Sequence, residues 1–190
     1  MKIAIIGTGK VGGTLGQRWR AAGHDVTYGS RAGSGNGPGG AVVMTIGEAL
    51  GGANVAVLAV PGTAVAEIAA ANSAALAGKV VIDATNRMRE PEINSRAAIA
   101  AVAPDAHYVR AFNALGWENF ADPPQGGALF FAADPSARPV AEELISAVGL
   151  EPVCAGDVEA TRTVDALTLL WFALVRYNGG NRRVALGIVR

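Results

Sequence analysis

The chain has 190 residues, 51% hydrophobic and 17% charged, which suits one sizeable domain with a large buried core and excludes disorder. Its 16 basic and 16 acidic side chains cancel to a formal net charge of zero, leaving no general electrostatic reason for nucleic acid or an anionic membrane as partner. The lone Cys154 can form neither an intrachain disulfide nor a metal cluster, and no apolar run approaches the roughly 18 residues of a membrane span, so a cytoplasmic protein is expected.

In chain order, Lys2 to Ile6 is a short run led by β-branched residues and reads as a strand ending at Gly7. It is too short and too abruptly closed for a signal peptide. A helix is expected from Val11 to Ala22, because Val11, Leu15 and Trp19 recur at the spacing of one helical face while Arg18 and Arg20 point elsewhere. Gly23 and His24 close it before a second strand at Asp25 to Tyr28. Gly33 to Gly40 is a glycine-rich stretch that reads as a mobile loop.

A short helix near Thr45 to Leu50 precedes the apolar strand Val55 to Val60, and Pro61 and Gly62 then open an alanine-rich helix reaching Leu76. The alternation continues with a strand at Val80 to Asp83, a helix at Glu92 to Val102 and a strand at His107 to Phe112. A strand at Ala128 to Ala132, a helix at Pro135 to Val148 and a short strand at Pro152 to Ala155 follow. The last element, Val158 to Tyr177, is apolar nearly all round from Ala166 to Val175, as for a helix buried on several sides, in part by a second subunit.

Continuous apolar strands alternating with helices predict an α/β fold of Rossmann type, a doubly wound and mostly parallel sheet with a short C-terminal helical extension. Residues 1–155 form the dinucleotide-binding domain in this reading, and 156–190 a helix and tail packed on it at a subunit interface.

Gly7-Thr8-Gly9-Lys10-Val11-Gly12 is a G-x-G-x-x-G run lying directly after a strand and opening a helix. In that context Gly7 permits the tight turn, Gly9 lets backbone approach a pyrophosphate, and Gly12 lets helix and strand pack closely. The helix start at Gly9, Lys10, Val11 and Gly12 offers backbone N–H groups and a partial positive charge to phosphates.

Roughly 20 residues on, an NAD enzyme carries an acid for the ribose 2′-hydroxyl. Here Gly29-Ser30-Arg31 stands at that place, and no acid occurs between Val26 and Gly47. A serine hydroxyl and a guanidinium suit the 2′-phosphate of NADP(H), which a carboxylate would repel; a surface arginine beside a loop is the plainer alternative.

Ligands of such sheets lie beyond the carboxyl ends of the strands. The segments leaving those ends include Val60-Pro61-Gly62, Asp83-Ala84-Thr85-Asn86 and Phe112-Asn113-Ala114. Thr85, Asn86 and Asn113 offer neutral hydrogen-bonding groups there, although Asn and Thr are equally ordinary in turns, and Asp83 reads as turn chemistry. No proton donor suited to carbonyl reduction emerges. His24 and His107 fall at the opposite strand ends, Lys10 is in the phosphate loop, Lys79 begins a strand, and Tyr108 and Tyr177 have no support. Without a catalytic acid or a separate substrate domain, the expected substrate is itself a flat cofactor, because hydride transfer between stacked rings needs proximity and orientation above all.

The opening Met1-Lys2-Ile3-Ala4-Ile5-Ile6-Gly7-Thr8-Gly9, then Gly29-Ser30-Arg31, Ala111-Phe112-Asn113 and Arg176-Tyr177-Asn178-Gly179, resemble the NADPH-dependent reductases of the deazaflavin coenzyme F-420. The resemblance in order and spacing extends over essentially the whole chain. It implies hydride transfer between NADP(H) and F-420, usually in a homodimer. By matching motif it implies phosphate contacts from Thr8, Ser30 and Arg31, a cofactor border at Val60 and Pro61, and Asn113 beside the ring-stacking site. Arg87 and Arg89 could hold the anionic tail of such a coenzyme, with solvated surface charge the plainer reading. Another flat acceptor (a flavin, a quinone or flavin-chelated ferric ion) and a non-catalytic NADP-binding module are the alternatives.

Overall fold

The computed structural model describes residues 1–189; Arg190, the last residue of the expected C-terminal extension, lies outside the described residues. The strands are β1 (Lys2–Ile6), β2 (Asp25–Ser30), β3 (Val43–Thr45), β4 (Val55–Leu58), β5 (Val80–Asp83), β6 (His107–Arg110), β7 (Ala128–Ala133) and β8 (Glu151–Gly156). The α-helices are α1 (Lys10–Ala21), α2 (Ile46–Gly51), α3 (Val65–Ala71), α4 (Ser73–Leu76), α5 (Arg96–Ala100), α6 (Trp117–Ala121), α7 (Arg138–Ala147) and α8 (Thr161–Tyr177).

One sheet holds all eight strands in the order β3-β2-β1-β4-β5-β6-β7-β8. Only the β6–β7 pairing is antiparallel. This is the expected doubly wound α/β sheet. β1 pairs with β2 on one side and β4 on the other, so the chain's path reverses there and opens a crevice beyond the carboxyl ends of those strands.

The continuous apolar strands follow from helices covering both faces. Along β1, Ile3 and Ile5 pack into the core that holds Leu15 and Trp19 of α1, whereas Ala4 and Ile6 join Ala49, Leu50 and Val65 on the other side. Trp19 also donates from Nε1 to the Leu144 carbonyl at 2.9 Å, tying α1 to α7.

One strand was not expected, and several expected elements take a different form. The three-residue β3 pairs with β2 through Tyr28 and Val43; beside a glycine run it has too few residues to show alternation. Gly33 to Gly40 carries more order than a bare loop: Pro38–Gly40 is a 3-10 turn, Asn36 bridges to Val42, and the Gly39 carbonyl accepts from Arg20 Nη1 at 3.0 Å. The alanine-rich helix breaks at Asn72, where φ is −128° and the side-chain amide donates to the Ile68 carbonyl at 2.8 Å. The helix expected over Glu92 to Val102 contracts to α5, because Asn94 and Ser95 are drawn into buried polar contacts.

The last expected helix, Val158 to Tyr177, opens with a 3-10 turn at Val158–Ala160 and continues as α8. Within this chain it buries one face, formed by Thr161, Val164, Asp165, Thr168, Trp171 and Val175, while Leu169 and Leu170 remain 50% and 49% exposed. Arg176-Tyr177-Asn178-Gly179 ends it: the Asn178 N–H and side-chain amide both donate to the Leu174 carbonyl, and Gly179 has φ +66°.

Candidate functional site

The loop between β1 and α1 shows why each glycine is where it is. Gly7 has φ +115° and donates its N–H to the Gly29 carbonyl at 3.0 Å, and a Cβ there would strike the Ala59 carbonyl. A Cβ on Gly12 would lie 2.5 Å from the Gly7 oxygen and 3.0 Å from Ile5 Cγ2, so α1 can sit this close to β1 only without one.

Gly9 is different. Its backbone is extended (φ −72°, ψ −175°) and a Cβ would meet no atom within 4 Å. Neither conformation nor packing within the chain calls for glycine at that place, so the space a side chain would take is left for something else.

Around this space the helix start is unoccupied by the protein itself. The first helical bond runs from Gly13 N–H to the Gly9 carbonyl at 2.7 Å, no side chain caps the helix, and its first turn holds no acid. The N–H groups of Lys10, Val11 and Gly12 therefore lack intrahelical partners. An open, dipole-oriented set of donors beside a vacant Cβ position fits a diphosphate. The Lys10 ammonium rests 5.1 Å from the centre of the Trp117 ring.

Gly7 and Thr8 from this loop, Ser30 and Arg31 from the end of β2, and Val60 and Pro61 beyond β4 line one cleft of about 500 Å³. Its opposite wall comes from Thr63, Glu67, Ile68 and Asn72 on and around α3, which the motif reading did not single out. The turn at Pro61-Gly62 was the available signal, since it aims the following helix back over the crevice.

Arg31 is exposed and makes no hydrogen bond or ion pair among the described residues. The Ser30 hydroxyl accepts from the Gly33 N–H at 3.3 Å. Glu48, the first acid after this segment, is engaged elsewhere. The Thr45 N–H and hydroxyl donate to its Oε2 at 2.9 and 2.6 Å, capping α2 and holding its carboxyl below the usual range. The mouth of the cleft at Arg31 thus favours an anion.

Asn86 and Asn113 are not among the cleft's lining residues. Both belong to a buried polar cluster at the ends of β5 and β6, centred on the fully buried Arg110. Its Nε donates to Asp165 Oδ1 at 2.8 Å, Nη1 to the carbonyls of Asp83 and Thr85 at 3.2 and 2.6 Å, and Nη2 to Asn86 Oδ1 at 2.9 Å. The Asn113 amide, oriented by its hydrogen-bonding neighbours, turns its oxygen to Arg110 Nη2 and Nε at 3.1 and 3.2 Å and to the Thr168 hydroxyl at 2.7 Å. Asn86 Nδ2 reaches back to the Asn113 carbonyl at 2.9 Å.

Both oxygens of each carboxylate are hydrogen-bonded. Asp83 accepts from the Thr85 N–H and hydroxyl at 3.0 and 2.7 Å, the Ser95 N–H at 2.7 Å and the Tyr108 hydroxyl at 2.9 Å; Asn94 Nδ2 donates to Asp165 Oδ2 at 2.8 Å. Burial and the adjacent Asp83 charge push the Tyr108 phenol well above its ordinary value, so it stays a donor. Among the described residues no buried side-chain polar atom lacks a partner.

The two histidines sit as expected, whereas Arg87 is half-buried instead of a solvated surface charge. His24 precedes β2 and its Nδ1 meets the N-terminal amine at 3.1 Å, while His107 begins β6 and contacts the Ser136 hydroxyl at 2.9 Å; both are at strand ends opposite the crevice. Arg87 is bound to the Asn94 carbonyl through Nε and Nη2 at 3.0 and 2.7 Å. Among the described residues no group of three or more His, Cys, Asp or Glu is placed to hold a metal ion, and no helix is long and apolar enough to cross a membrane.

Residues 2–87 match the family described as NADP oxidoreductase, coenzyme F420-dependent. The matched stretch contains the phosphate loop, Ser30, Arg31, Val60, Pro61 and Asn86, and ends before Asn113. A crystal structure of a candidate F420-dependent NADP-reductase from Arthrobacter sp. FB24 superposes with a TM-score of 0.85 at 24% identity, covering 100% of each chain. A hypothetical protein from Sinorhizobium meliloti gives 0.72 at 29% identity, over 85% of this chain and 87% of that one. A reductive aminase from Aspergillus terreus, solved in complex with NADPH, gives 0.70 at 21% identity; the match covers 94% of this chain and 62% of the aminase. The resemblance read from the motifs thus stands over residues 2–87, and the fold is shared over the full length.

Proposed function

We propose that this chain is an oxidoreductase that moves hydride between NADP(H) and the deazaflavin coenzyme F-420, acting as a homodimer. The observation that carries the reading is the cleft that gathers Thr8, Ser30, Arg31, Val60 and Pro61 from the ends of three adjacent strands. It reaches from Gly7 and Thr8, which lead into a helix start that no side chain caps, to a guanidinium with no partner among the described residues. The N–H groups of Lys10, Val11 and Gly12 hold the diphosphate, Ser30 and Arg31 hold the 2′-phosphate, and Val60 and Pro61 border the cofactor towards β4.

Bound NADPH supplies the hydride; the protein's part is to grip, orient and keep water from the transfer. The segments leaving β5 and β6, residues 84–88 and 111–116, contain no His, Lys or Tyr. That composition supports an acceptor ring that takes hydride without a protein acid, as a deazaflavin does, and the matching family's description points the same way.

The test is the ratio of kcat/KM with NADPH to that with NADH, followed by the absorbance of the deazaflavin. NADPH is expected to be preferred, and Arg31→Ala to cut the preference by about 10- to 100-fold through loss of a charge-assisted pair. A preference for NADH, or a ratio untouched by Arg31→Ala, overturns the coenzyme assignment. NADPH turnover with free flavin but not with F-420 overturns the acceptor.

A further inference from the structure

Arg110 and Asp165 have no part in gripping the phosphates, yet they form a buried ion pair, with side chains 0% and 11% exposed. Asp165 comes from α8, in the segment after the last strand, whereas Arg110 ends β6. The guanidinium holds two different strand-end segments at once. On β5 it takes the carbonyls of Asp83 and Thr85 and the side chain of Asn86, and after β6 it takes the side chain of Asn113. Its N–H directions are thereby used on Asp165 of α8 and on positions at or just beyond the carboxyl ends of β5 and β6.

The β5 segment is in turn packed against the cleft. A Cβ on Gly62 would lie 3.0 Å from the Asn86 backbone carbonyl and 2.5 Å from Arg87 Cγ, so the turn at Pro61-Gly62 bears directly on Asn86 and Arg87. A continuous line of contacts therefore runs from the Pro61 wall through the Asn86 backbone and Arg110 to Asp165 and Thr168 on α8. Asn94 reinforces it by donating to the second oxygen of Asp165.

We propose that Arg110 is a positioning residue for the nicotinamide half of the site, and that Asp165 and Thr168 of α8 set its position, so the C-terminal helix is a working part of the cofactor site. This rests on the dinucleotide reading above. The phosphate loop and Ser30-Arg31 belong to β1, α1 and β2, and among the described residues their side chains make no hydrogen bond or ion pair to the cluster. Disturbing α8 should therefore loosen the nicotinamide end while leaving the adenosine end intact.

Two ligands separate the ends: NADPH, and 2′-phospho-ADP-ribose, which lacks the nicotinamide. Asp165→Asn keeps the shape of the side chain and removes the charge facing Arg110; Thr168→Val removes only the hydroxyl on Asn113. With Asp165→Asn, calorimetry should show 2′-phospho-ADP-ribose bound within about twofold of the wild type, NADPH bound about tenfold more weakly, and a reduced nicotinamide fluorescence of the bound form. Thr168→Val should move the same quantities in the same direction by roughly threefold, and it decides the matter if Asp165→Asn does not fold.

Variants that bind both ligands with wild-type affinity and fluorescence overturn the inference. So do variants that lose both ligands by the same factor, since that is general loosening. A wild-type chain that binds neither ligand overturns the dinucleotide reading, and the inference with it.

Discussion

At Gly9 a methyl group would meet no protein atom within 4 Å, on a backbone conformation open to any residue. Gly9→Ala should therefore leave stability within about 0.5 kcal/mol of the wild type, the usual range for a surface change. The same methyl group occupies the space assigned to the diphosphate, so NADPH affinity should fall at least tenfold by calorimetry, about 1.4 kcal/mol or more. Gly7→Ala provides the contrast: with φ at +115° and the Ala59 carbonyl in the way, it should cost stability whether or not ligand is present. Equal melting losses in the two variants would mean that Gly9 serves the fold. Two glycines in one motif thus answer to different masters, one to the chain and one to the ligand.

Asn113 is the complementary case. The residue type and its place after a strand marked it as a hydrogen-bonding group, which it is. Its 3% exposure and its bonds to Arg110 and Thr168 could not be read from local sequence, because both partners are set by tertiary packing. Phe112, just before it, has φ +63°, the one positive value outside glycine among the described residues. That turn sends the Phe112 ring into edge contacts with Trp19 and Phe120 at 5.5 and 5.7 Å, while Arg110 and Asn113 face α8.

Among the elements, α1 is the most fully determined by its own sequence. Its buried face is Gly12, Gly13, Leu15, Gly16 and Trp19, so small residues let the helix lie close to β1 and β2. A Cβ on Gly16 would run into the Tyr28 hydroxyl and lie 2.8 Å from Ile5 Cδ1. Alanine gains about 1 kcal/mol of helix propensity over glycine, but overpacking costs roughly 1–3 kcal/mol. Gly16→Ala should therefore lower the urea midpoint; an unchanged or higher midpoint would show that α1 has room to move outward.

The elements that escaped sequence reading are short. β3 has three residues and α6 five, fewer than one period of pattern needs to stand out. Each is held by partners from elsewhere: β3 by pairing with β2, and α6 by Phe120 in the core and by Asn119 Nδ2 on the Arg182 carbonyl at 2.8 Å. Contraction of the helix expected over Glu92 to Val102 has the same origin, since Ser95 donates to Asp83 and Asn94 to Asp165 instead of continuing a helical turn.

For the whole molecule, the exposed side of α8 bears on assembly. Leu170 lies with Phe130, Val164 and Leu167 along an apolar groove, and Leu169 is half exposed beside it. In the proposed homodimer this surface meets a second copy. Sedimentation at micromolar concentration should give twice the chain mass, and Leu170→Glu should shift it to the single-chain mass with the melting curve still cooperative. A single-chain mass for the wild type would remove the dimer from the proposal.

The strand–loop–helix start, the run of parallel strands and the absence of an acid near Ser30 and Arg31 are legible from residues alone, because each is written in neighbouring positions and short periodicities. The wall that α3 gives the cleft, the service of Asn86 and Asn113 to Arg110, and the apolar face that α8 turns outward come from packing between distant segments. Those outcomes depend on pairs such as Arg110 and Asp165, 55 positions apart, whose meeting is fixed by how the sheet brings its strand ends together. Local pattern carries no information about such distant encounters.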